Sequence, residues 1–409
     1  MRILFVSDNF PPELNAPASR TFEHCKEWVR LGHEVTVVTC APNFPRGEAL
    51  EGYKNRLFQR EYMDGIEVIR VWSYMAPNQG MVRRILDYLS FAFMASVASV
   101  GRRFDTVITT SPQFFTNAVG AFLSIVRQKY WVLELRDLWP ESIAAVGAMS
   151  NKRLLNWLEK LELYFYRRAN LIIPVTEAFK ENLVARGIPK EKIHVITNGI
   201  DAHLFKRTRD VFPDLQSKKI EGKFLVGCVG TIGLAHCLDF ILASAVKLEE
   251  LAPDILFVFF GDGAEKAKLL KLKEKRNLQN VEFFDPIPRK EVPRVLSGLD
   301  LGIVNLKRSK AFRTVIPSKI FEFVAMRKPF LLGVDGEARR IVEQYDVGIF
   351  FAPEDEDDFL EKLLSIRRDT QRMSELSQNC ELMSRDFDRR KLALTMISTI
   401  DSCSQGYRT

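Results

Sequence analysis

The sequence predicts an α/β protein built from two doubly wound, Rossmann-like domains that face each other across a cleft. Short apolar stretches of strand length alternate with helical stretches over residues 2–176, and the same alternation restarts at residue 224. Between the two series the pattern breaks near residues 194–207, and a charged, proline-containing segment follows over 206–221. Strands that are apolar on both faces and separated by helices are typical of a parallel sheet covered on both sides.

Each series supplies enough strands for one sheet. In the first series a helix is predicted from about Ser19 to Leu31, and the predicted strands span residues 2–7, 33–40, 66–72, 105–110, 130–135 and 170–176. In the second series the predicted strands span residues 224–230, 255–261, 281–287, 300–306, 329–334 and 348–352. A length of 409 residues also suits two domains. We therefore predict a first domain over 1–205, a second over 206–387, and a C-terminal helical segment over 388–409 that packs back on the first.

Composition and charge narrow the classes of function. The chain is 46% hydrophobic and 27% charged, which excludes a disordered protein, and its formal net charge is +7. A basic protein suits an acidic partner such as nucleotide phosphates, anionic lipid or nucleic acid, although an ordinary basic surface gives the same charge. Aromatic and basic residues are not interleaved as a strip that stacks bases requires, so we expect no nucleic-acid partner.

The cysteines and histidines give no sign of a metal site. The six cysteines are scattered without C-x-x-C spacing, and the five histidines form no H-E-x-x-H motif. The first residues, MRILFVSDNFPPE, have the pattern of a β-strand and its loop and not that of a signal peptide. Reduced thiols without an export signal predict a cytoplasmic protein.

The longest apolar run covers residues 85–100 and is flanked by the arginine pairs 83–84 and 102–103. It is shorter than the roughly 20 residues that a spanning helix needs, and it contains Asp87. We predict a helix that either packs into the domain core or lies on a membrane surface, with residues 81–104 as the contact.

Three polar loops of the first domain follow strands, and one of them has the sequence RDLWPES, residues 136–142. The loop SDNFPPELNAPASR over 7–20 offers Asn15, Ser19 and Arg20, and TTSPQFF over 109–115 offers Ser111. If all strands are parallel, their carboxyl ends share one edge, where such sheets bind ligands. The alternative for RDLWPES is an ion pair between Arg136 and Asp137 that pins the loop, with Trp139 and Pro140 stiffening it.

Glycine-rich turns follow the first two strands of the second domain. The stretch GCVGTIGLAH places Gly227, Gly230 and Gly233 at a predicted strand-to-helix turn, where small residues let backbone amides approach phosphate. Such a turn is equally compatible with packing alone. The stretch GDG brings Gly261 and Asp262 to the end of the next strand, and Asp262 could instead cap the following helix.

The stretch PSKIFEF, residues 317–323, opens a short predicted helix. Lys319 and Glu322 stand three residues apart and can share one helix face. Helix amides and Lys319 suit phosphates, whereas Glu322 suits the two hydroxyls of a ribose. The alternative is a helix capped by Ser318 with an intrahelical ion pair.

Three of these motifs together resemble the family 4 glycosyltransferases, which are retaining enzymes of the GT-B fold. They are TNGID...F over 197–205, GDG over 261–263 and PSKIFEFVAMRKPFL over 317–331. SDNFPPE, TSPQFF and RDLWPES further resemble a subgroup that builds bacterial O-antigen or capsule and includes proteins assigned as L-fucosamine transferases.

This resemblance implies a UDP-sugar donor held mainly by the second domain. Glu322 matches the second glutamate of the family's E-x7-E motif, and Thr314 stands where the first glutamate is expected. The family's Arg/Lys pair after the first strand of this domain is also absent from TIGLAHCLD. The donor-binding residues implied are Gly233, Gly261, Asp262, Ile287, Arg313, Thr314, Pro317, Ser318, Lys319 and Glu322.

The resemblance also assigns roles in the reaction. Arg136, Asp137 and Lys319 are the expected catalytic residues, and Asn15, Ser19, Arg20 and Ser111 are expected on the acceptor side. The implied reaction moves a sugar, of which an N-acetylated deoxyaminosugar is one candidate, to a lipid-linked glycan at the cytoplasmic face of the inner membrane. No D-x-D motif in the style of the GT-A enzymes is apparent, and basic side chains can do the work of a divalent metal, so we expect no metal and no other cofactor. A UDP-sugar epimerase of the same fold is the alternative.

Overall fold

The chain divides into two compact units, one of residues 1–198 and 389–409 and the other of residues 199–388. The structure, a computed structural model, describes residues 1–13, 15–44, 46–76, 81–138 and 151–407, and gives the backbone alone at positions 81, 82 and 152. Residues 199–205, which the sequence had placed in the first domain, belong to the second unit. Phe205 explains this, because its ring is buried in the core of that unit.

The first unit contains a seven-stranded sheet of order β3-β4-β2-β1-β5-β6-β7. Its strands are β1 Arg2–Val6, β2 Glu34–Cys40, β3 Phe58–Met63, β4 Ile66–Val71, β5 Thr106–Thr110, β6 Tyr130–Leu135 and β7 Leu171–Pro174. All neighbouring strands pair in parallel except β3, which pairs antiparallel with β4.

Strand β3 corrects the expectation that every strand of this domain is parallel. Asp64 and Gly65 both have positive φ angles, 49° and 83°, and they close a two-residue hairpin between β3 and β4. An Asp-Gly pair between two strands favours this turn. The Asp-Gly pair was visible in the sequence. Strand β3 was nevertheless not predicted, because its exposed and half-buried side chains alternate and make it less apolar than the inner strands.

The second unit contains a six-stranded sheet of order β10-β9-β8-β11-β12-β13 in which all pairs are parallel. Its strands are β8 Phe224–Val229, β9 Ile255–Phe260, β10 Val281–Phe284, β11 Leu301–Asn305, β12 Phe330–Gly333 and β13 Ile349–Phe350. Leu225 packs in the core on one face of this sheet, and Val226 packs in the core on the other. Burial on both faces explains the continuous apolar strands, and the predicted doubly wound architecture is confirmed.

Helices connect the strands and cover the sheets. They are α1 Ala16–Arg30, α2 Met81–Val100, α3 Thr116–Val126, α4 Lys152–Arg168, α5 Glu177–Ala185, α6 Pro213–Ile220, α7 Leu238–Leu251, α8 Lys266–Lys275, α9 Val292–Gly298, α10 Ser318–Ala325, α11 Glu337–Tyr345, α12 Glu356–Arg368, α13 Thr370–Asp386 and α14 Arg389–Ser404. Helix α14 packs on α1, where Trp28 Nε1 donates a hydrogen bond of 2.9 Å to the carbonyl oxygen of Ala393.

Helix α2 contains the apolar run found in the sequence. One side of it enters the core through residues such as Phe91 and Ala95, which are almost fully buried. The other side leaves large apolar side chains exposed, and Phe93 has 68% of its surface accessible. Within the described parts of the chain, no helix has both the length and the apolar character needed to cross a membrane.

Gly227 does not lie in the turn where the sequence placed it, because it is the fourth residue of β8. A Cβ atom at this position would collide with both terminal methyl groups of Leu299, whose side chain is fully buried. Gly227 therefore serves packing, because it leaves room on β8 for Leu299, the residue that follows α9. The turn that follows β8 begins only at Gly230.

We expect Gly227→Ala to lower the free energy of unfolding by about 1–3 kcal/mol, because the added methyl group overfills a closed core. Urea unfolding monitored by circular dichroism measures the change. Gly101→Ala is the matched control, since a Cβ at Gly101 meets no atom within 4 Å. Equal stability of the two variants would contradict the packing role of Gly227.

Candidate functional site

Ser111 organises the loop that leaves β6 in the first unit. Its side-chain Oγ accepts hydrogen bonds from the backbone amides of Arg136, at 2.7 Å, and Asp137, at 3.2 Å. The predicted residues Ser111, Arg136 and Asp137 are therefore brought together by direct contact. Trp139, Pro140 and Glu141 of the same motif lie outside the described residues.

Arg20 lies beneath this loop in a buried ion pair. Its Nε donates to Glu134 Oε1 at 2.8 Å, and both side chains are only 1% exposed. Its other nitrogens donate to the carbonyl oxygens of Ile196 and Thr197, at 3.1 and 2.6 Å. Thr110 Oγ1 donates to the second Glu134 oxygen at 2.6 Å. Arg20 thus supports the sheet edge from below and ties it to the TNGID segment.

The Glu134 carboxylate is held in its charged form. Burial raises its pKa, but the charges of Arg20 and Arg136 and the hydrogen bonds from Thr110 and Arg20 together outweigh burial, and the net pKa lies below the ordinary value. The carboxylate thus compensates part of the positive charge that the two arginines bring into the domain.

The Arg136 guanidinium is only partly satisfied. Its Nε and Nη1 atoms are buried and have no hydrogen-bond partner within the described residues, so the predicted ion pair with Asp137 uses neither of them. Desolvation lowers the pKa of Arg136 to about 10, against the attraction of Glu134, and Arg20 lowers it further. The group stays protonated at neutral pH. Buried cationic donors without partners are suited to an anionic or hydroxyl-rich ligand.

The carboxyl group of Asp137 changes its protonation state near the physiological pH range. Desolvation raises its pKa to about 6, although the neighbouring Arg136 pulls the pKa down. A carboxyl group titrating there can accept a proton or a hydrogen bond near neutral pH.

The remaining two acceptor-side candidates lie at the start of α1. Asn15 caps this helix, because its Oδ1 accepts from the amide of Ala18 at 2.9 Å. Its Nδ2 donates to Asn9 Oδ1 at 2.5 Å, so the first loop is held to the helix. Ser19 is half-buried in the first turn of the same helix.

An acidic group beside β1 was missed by the sequence reasoning. Desolvation raises the pKa of Asp8 to about 6 and that of Asp87 to about 7, and the two carboxylates also repel each other. Glu13 Oε1 accepts from the amides of Asn43 and Phe44, at 2.8 and 2.9 Å. The only signal in the sequence was Asp8 at the end of a strand, since α2 brings Asp87 from far along the chain.

Two glycine turns interlock at the carboxyl edge of the second sheet. The Ile232 amide donates to the carbonyl oxygen of Asp262 at 2.9 Å. Gly261 and Gly263 have φ angles of 150° and 155°, and Cβ atoms there would collide with the carbonyl oxygens of Gly230 and Ile232. Glycine is required in the second turn for this close backbone approach.

Asp262 is not the cap of the helix that follows. Its Oδ1 accepts from the adjacent amide of Gly263 at 2.8 Å, and α8 begins at Lys266 with Glu265 in the capping position. Asp262 is exposed on the outer side of the turn. The predicted residues Gly233, Gly261 and Asp262 therefore belong to one pair of turns.

Lys319 reaches the first of these turns from α10. Its Nζ donates to Cys228 Sγ at 3.2 Å, and its Cε would lie 3.2 Å from a Cβ atom at Gly230. Ser318 is the first residue of α10, and Pro317 before it makes no side-chain capping bond, which corrects the alternative of a serine cap. Glu322 follows one turn later and is half-buried. The Lys319 side chain from α10 thus meets the first glycine turn.

His236 is a site residue that the sequence reasoning did not select. Its Nδ1 is buried without a hydrogen-bond partner within the described residues, and it would lie 3.7 Å from a Cβ atom at Gly233. Desolvation lowers its pKa to about 4, and the charge of Lys319 lowers it further. His236 is therefore neutral at pH 7 and can donate or accept one hydrogen bond beside Gly233. It stands within TIGLAHCLD, where the sequence offered no arginine or lysine.

Three other predicted donor residues make contacts elsewhere in the second unit. Arg313 is exposed and pairs with Asp335 Oδ2 at 3.1 Å. Thr314 Oγ1 donates to the carbonyl oxygen of Ala311 at 2.9 Å, within the turn that precedes α10. Ile287 is half-buried against the core of the second unit. None of these three contacts includes Gly233, Gly261 or Lys319.

The two doubly wound domains define the architecture of the GT-B class. The chain belongs to the glycosyltransferases, because residues 15–199 match the model of the glycosyl transferase 4-like domain and residues 213–383 match that of glycosyl transferases group 1. The predicted GT-B fold and the glycosyltransferase assignment are thereby confirmed.

Individual relatives are distant. The chain is 24% identical, over 80% of its length and 81% of the relative's, to the putative colanic acid biosynthesis glycosyl transferase WcaI of Escherichia coli. It is 27% identical, over 48% of its length and 49% of the relative's, to the putative teichuronic acid biosynthesis glycosyltransferase TuaH of Bacillus subtilis. The crystal structure of Anabaena Alr3699/HepE in complex with UDP aligns with a TM-score of 0.71 at 17% identity, over 98% of this chain and 100% of the other.

We expect Glu134→Gln to lower the free energy of unfolding at pH 7 by about 3–5 kcal/mol, because it leaves two buried arginines without their carboxylate. The pKa of Glu134 is lowered in the folded state, so its stabilisation is present above the ordinary glutamate pKa and is lost on acidification. The difference between the two proteins should therefore shrink as the pH falls below about 4.

Urea unfolding at a series of pH values measures this difference. Glu159→Gln is the matched control, since Glu159 is exposed and its ion pair with Arg186 is long, at 3.5 Å. A Glu134→Gln variant as stable as this control would show that the buried pair does not hold the site together.

Proposed function

We propose that the protein transfers a sugar from a UDP-sugar to a lipid-linked glycan during assembly of a bacterial surface polysaccharide of the O-antigen or capsule type. The observation that carries the donor assignment is the convergence of the interlocked glycine turns, Lys319 and His236 on one spot of the second sheet. Two relatives are named for the biosynthesis of colanic and teichuronic acid, and HepE was crystallised with UDP, which supports the same reading.

In this proposal the donor diphosphate lies over the first glycine turn. The amides near Gly233 and Ser318, the Lys319 ammonium and the His236 ring supply its hydrogen bonds. The carboxylate of Glu322, one helical turn beyond Lys319, accepts from the ribose hydroxyls. These groups take the place of the family's Arg/Lys pair, which is absent from this chain after the first strand of the second domain.

The reaction follows from the charge that develops as the bond between the sugar and UDP breaks. The sugar becomes cationic and the diphosphate gains negative charge, so a cation and helix amides held at the diphosphate stabilise the transition state. One such donor contributes about 10²-fold or more to the rate. We assign Asp137 to orient or deprotonate a hydroxyl, and Arg136 to hold it or to meet phosphate.

We further propose that the configuration at the anomeric carbon is retained and that an N-acetylated deoxyaminosugar of the fucosamine type is the transferred unit. Both proposals rest on the resemblance of SDNFPPE, TSPQFF and RDLWPES to one subgroup of family 4. We also propose that no metal takes part, because Lys319 and the amides can neutralise the leaving diphosphate.

UDP should raise the melting temperature of the protein, because a ligand that binds only the folded state stabilises it by about 2.7 kcal/mol at a hundred times its Kd. Glu322→Ala should weaken UDP binding by about 10- to 100-fold through loss of a charge-assisted contact. Differential scanning fluorimetry with UDP, GDP and CMP, with and without EDTA, measures both effects.

Glu274→Ala, at an exposed position on α8, is the matched control and should keep the full response to UDP. A rise in melting temperature with GDP alone would change the proposed donor from a UDP-sugar to a GDP-sugar. No rise with any nucleotide would refute the donor site. A response abolished by EDTA would refute metal independence. Consumption of UDP-sugar without any acceptor would favour the epimerase alternative.

The exposed side of α2 supports a peripheral contact with the cytoplasmic face of the inner membrane. Four large apolar side chains follow one another at helical spacing, and three more are exposed on the adjacent α3: Leu86, Leu89, Phe93, Val97, Phe122, Ile125 and Val126. Arg83 and Arg103 flank the helix, and both are accessible to anionic lipid headgroups. An apolar strip between basic residues is typical of an interfacial helix.

We expect the double variant Leu89→Gln/Phe93→Gln to bind vesicles of phosphatidylglycerol about tenfold or more weakly, because a buried Leu or Phe contributes about 1.5–3 kcal/mol. Co-sedimentation with vesicles measures the bound fraction. The matched control is Leu251→Gln/Leu382→Gln, which removes two apolar side chains of 58% and 61% exposure from the second unit. Equal loss in both double variants, or no vesicle binding by the parent protein, would refute the membrane contact.

A further inference from the structure

A cavity of about 470 Å³ opens at the carboxyl ends of β11, β12 and β13 in the second unit. This volume lies in the range of about 300–1,000 Å³ that small-molecule sites occupy. The loop after β11 forms one wall with Lys307, Arg308 and Lys310, and the first turns of α11 contribute Arg339. The glycine turns, Lys319 and Glu322 do not line this cavity.

Positive charge dominates the cavity wall. Five cationic side chains line it against one carboxylate, and they are Lys307, Arg308, Lys310, Arg313 and Arg339, with Asp335 as the acid. Asp335 is shared, because it lies 3.1 Å from Arg313 and 3.8 Å from Arg339. Arg339 also pairs with Glu343 at 2.7 Å.

Three of the cations remain available to a ligand. Lys307, Arg308 and Lys310 are exposed, and within the described residues their side chains form no ion pair. Glu354 lies beside them, and its Oε1 accepts a hydrogen bond from the backbone amide of Arg308 at 2.8 Å and not from the guanidinium. Unpaired cations around one concave surface attract an anion.

The floor of the cavity is apolar. Leu306 and Val334 are buried there, and the half-buried rings of Phe312 and Phe350 lie beside them. The Arg339 guanidinium covers one face of Phe350 at 4.0 Å from the ring centre, so this part of the wall is already fixed. A bare phosphate ion would use the cations and leave the floor in contact with water.

We propose that this cavity binds an anionic saccharide, that is, a sugar carrying a carboxylate or a phosphate group. The C–H face of the sugar ring lies on the apolar floor, and the anionic group meets Arg308 and Lys310. The cavity lining does not include the glycine turns, Lys319 or Glu322, although the Lys307 amide donates to the carbonyl oxygen of Ala235, next to His236. The proposal rests on the proposed function only for the source of the ligand, a charged unit of the acceptor or product polymer.

Isothermal titration calorimetry of the full chain with glucuronic acid, glucose 6-phosphate, glucose and inorganic phosphate tests the proposal. The two charged sugars separate a carboxylated from a phosphorylated ligand. We expect saturable binding of at least one charged sugar. The affinities for glucose and for inorganic phosphate should each be lower by about tenfold or more. Arg308→Gln/Lys310→Gln should lower the affinity for the charged sugar by about tenfold or more, because the double variant removes two charge-assisted contacts.

Lys271→Gln/Lys275→Gln is the matched control, since it removes the same charge from exposed positions on α8. Equal weakening in both double variants, equal affinity for inorganic phosphate, or no binding of either charged sugar would overturn the proposal. Displacement of the sugar by UDP would also overturn it, because the ligand would then belong to the donor site. Failure of the proposed function has a different signature, namely loss of the UDP response while the charged sugar still binds.

Discussion

The close approach of two backbone turns is the constraint on which the second domain's candidate site depends. A side chain at Gly261 or Gly263 would collide with carbonyl oxygens of the turn after β8, so the surface there is made of backbone. The amides of Ile232 and Gly263 donate hydrogen bonds within the pair of turns, and Lys319 can fold over Gly230 because no Cβ atom blocks its path. The same crowding desolvates His236 and keeps it neutral.

The first domain contains two arginines whose charged groups are buried, Arg20 and Arg136. Arg20 is fully paired, through one carboxylate and two carbonyl oxygens, and it acts as a support. Arg136 is attracted to the same carboxylate, but two of its buried donors have no hydrogen-bond partner in the part of the chain that the structure describes. The contrast separates a paired, structural arginine from one with unused buried donors, although the sequence had placed both at the site.

Surface features of the two domains also differ in kind. Helix α2 exposes apolar side chains such as Phe93 beside arginines, a combination suited to a lipid interface. The cavity around Arg308 and Lys310 reverses the arrangement, because its apolar residues form a floor and its cations form the walls.

The sequence by itself determined the two doubly wound sheets, because apolar strands buried on both faces leave a continuous pattern that needs no long-range information. It also determined the glycine turns and the PSKIFEF helix, whose residues are adjacent in the chain. Only the tertiary structure decided that Gly227 serves packing, that Arg20 is paired with Glu134, and that His236 stands beside Lys319. Each of these depends on contacts between residues distant in sequence, and burial and charge at such contacts are set by the whole fold.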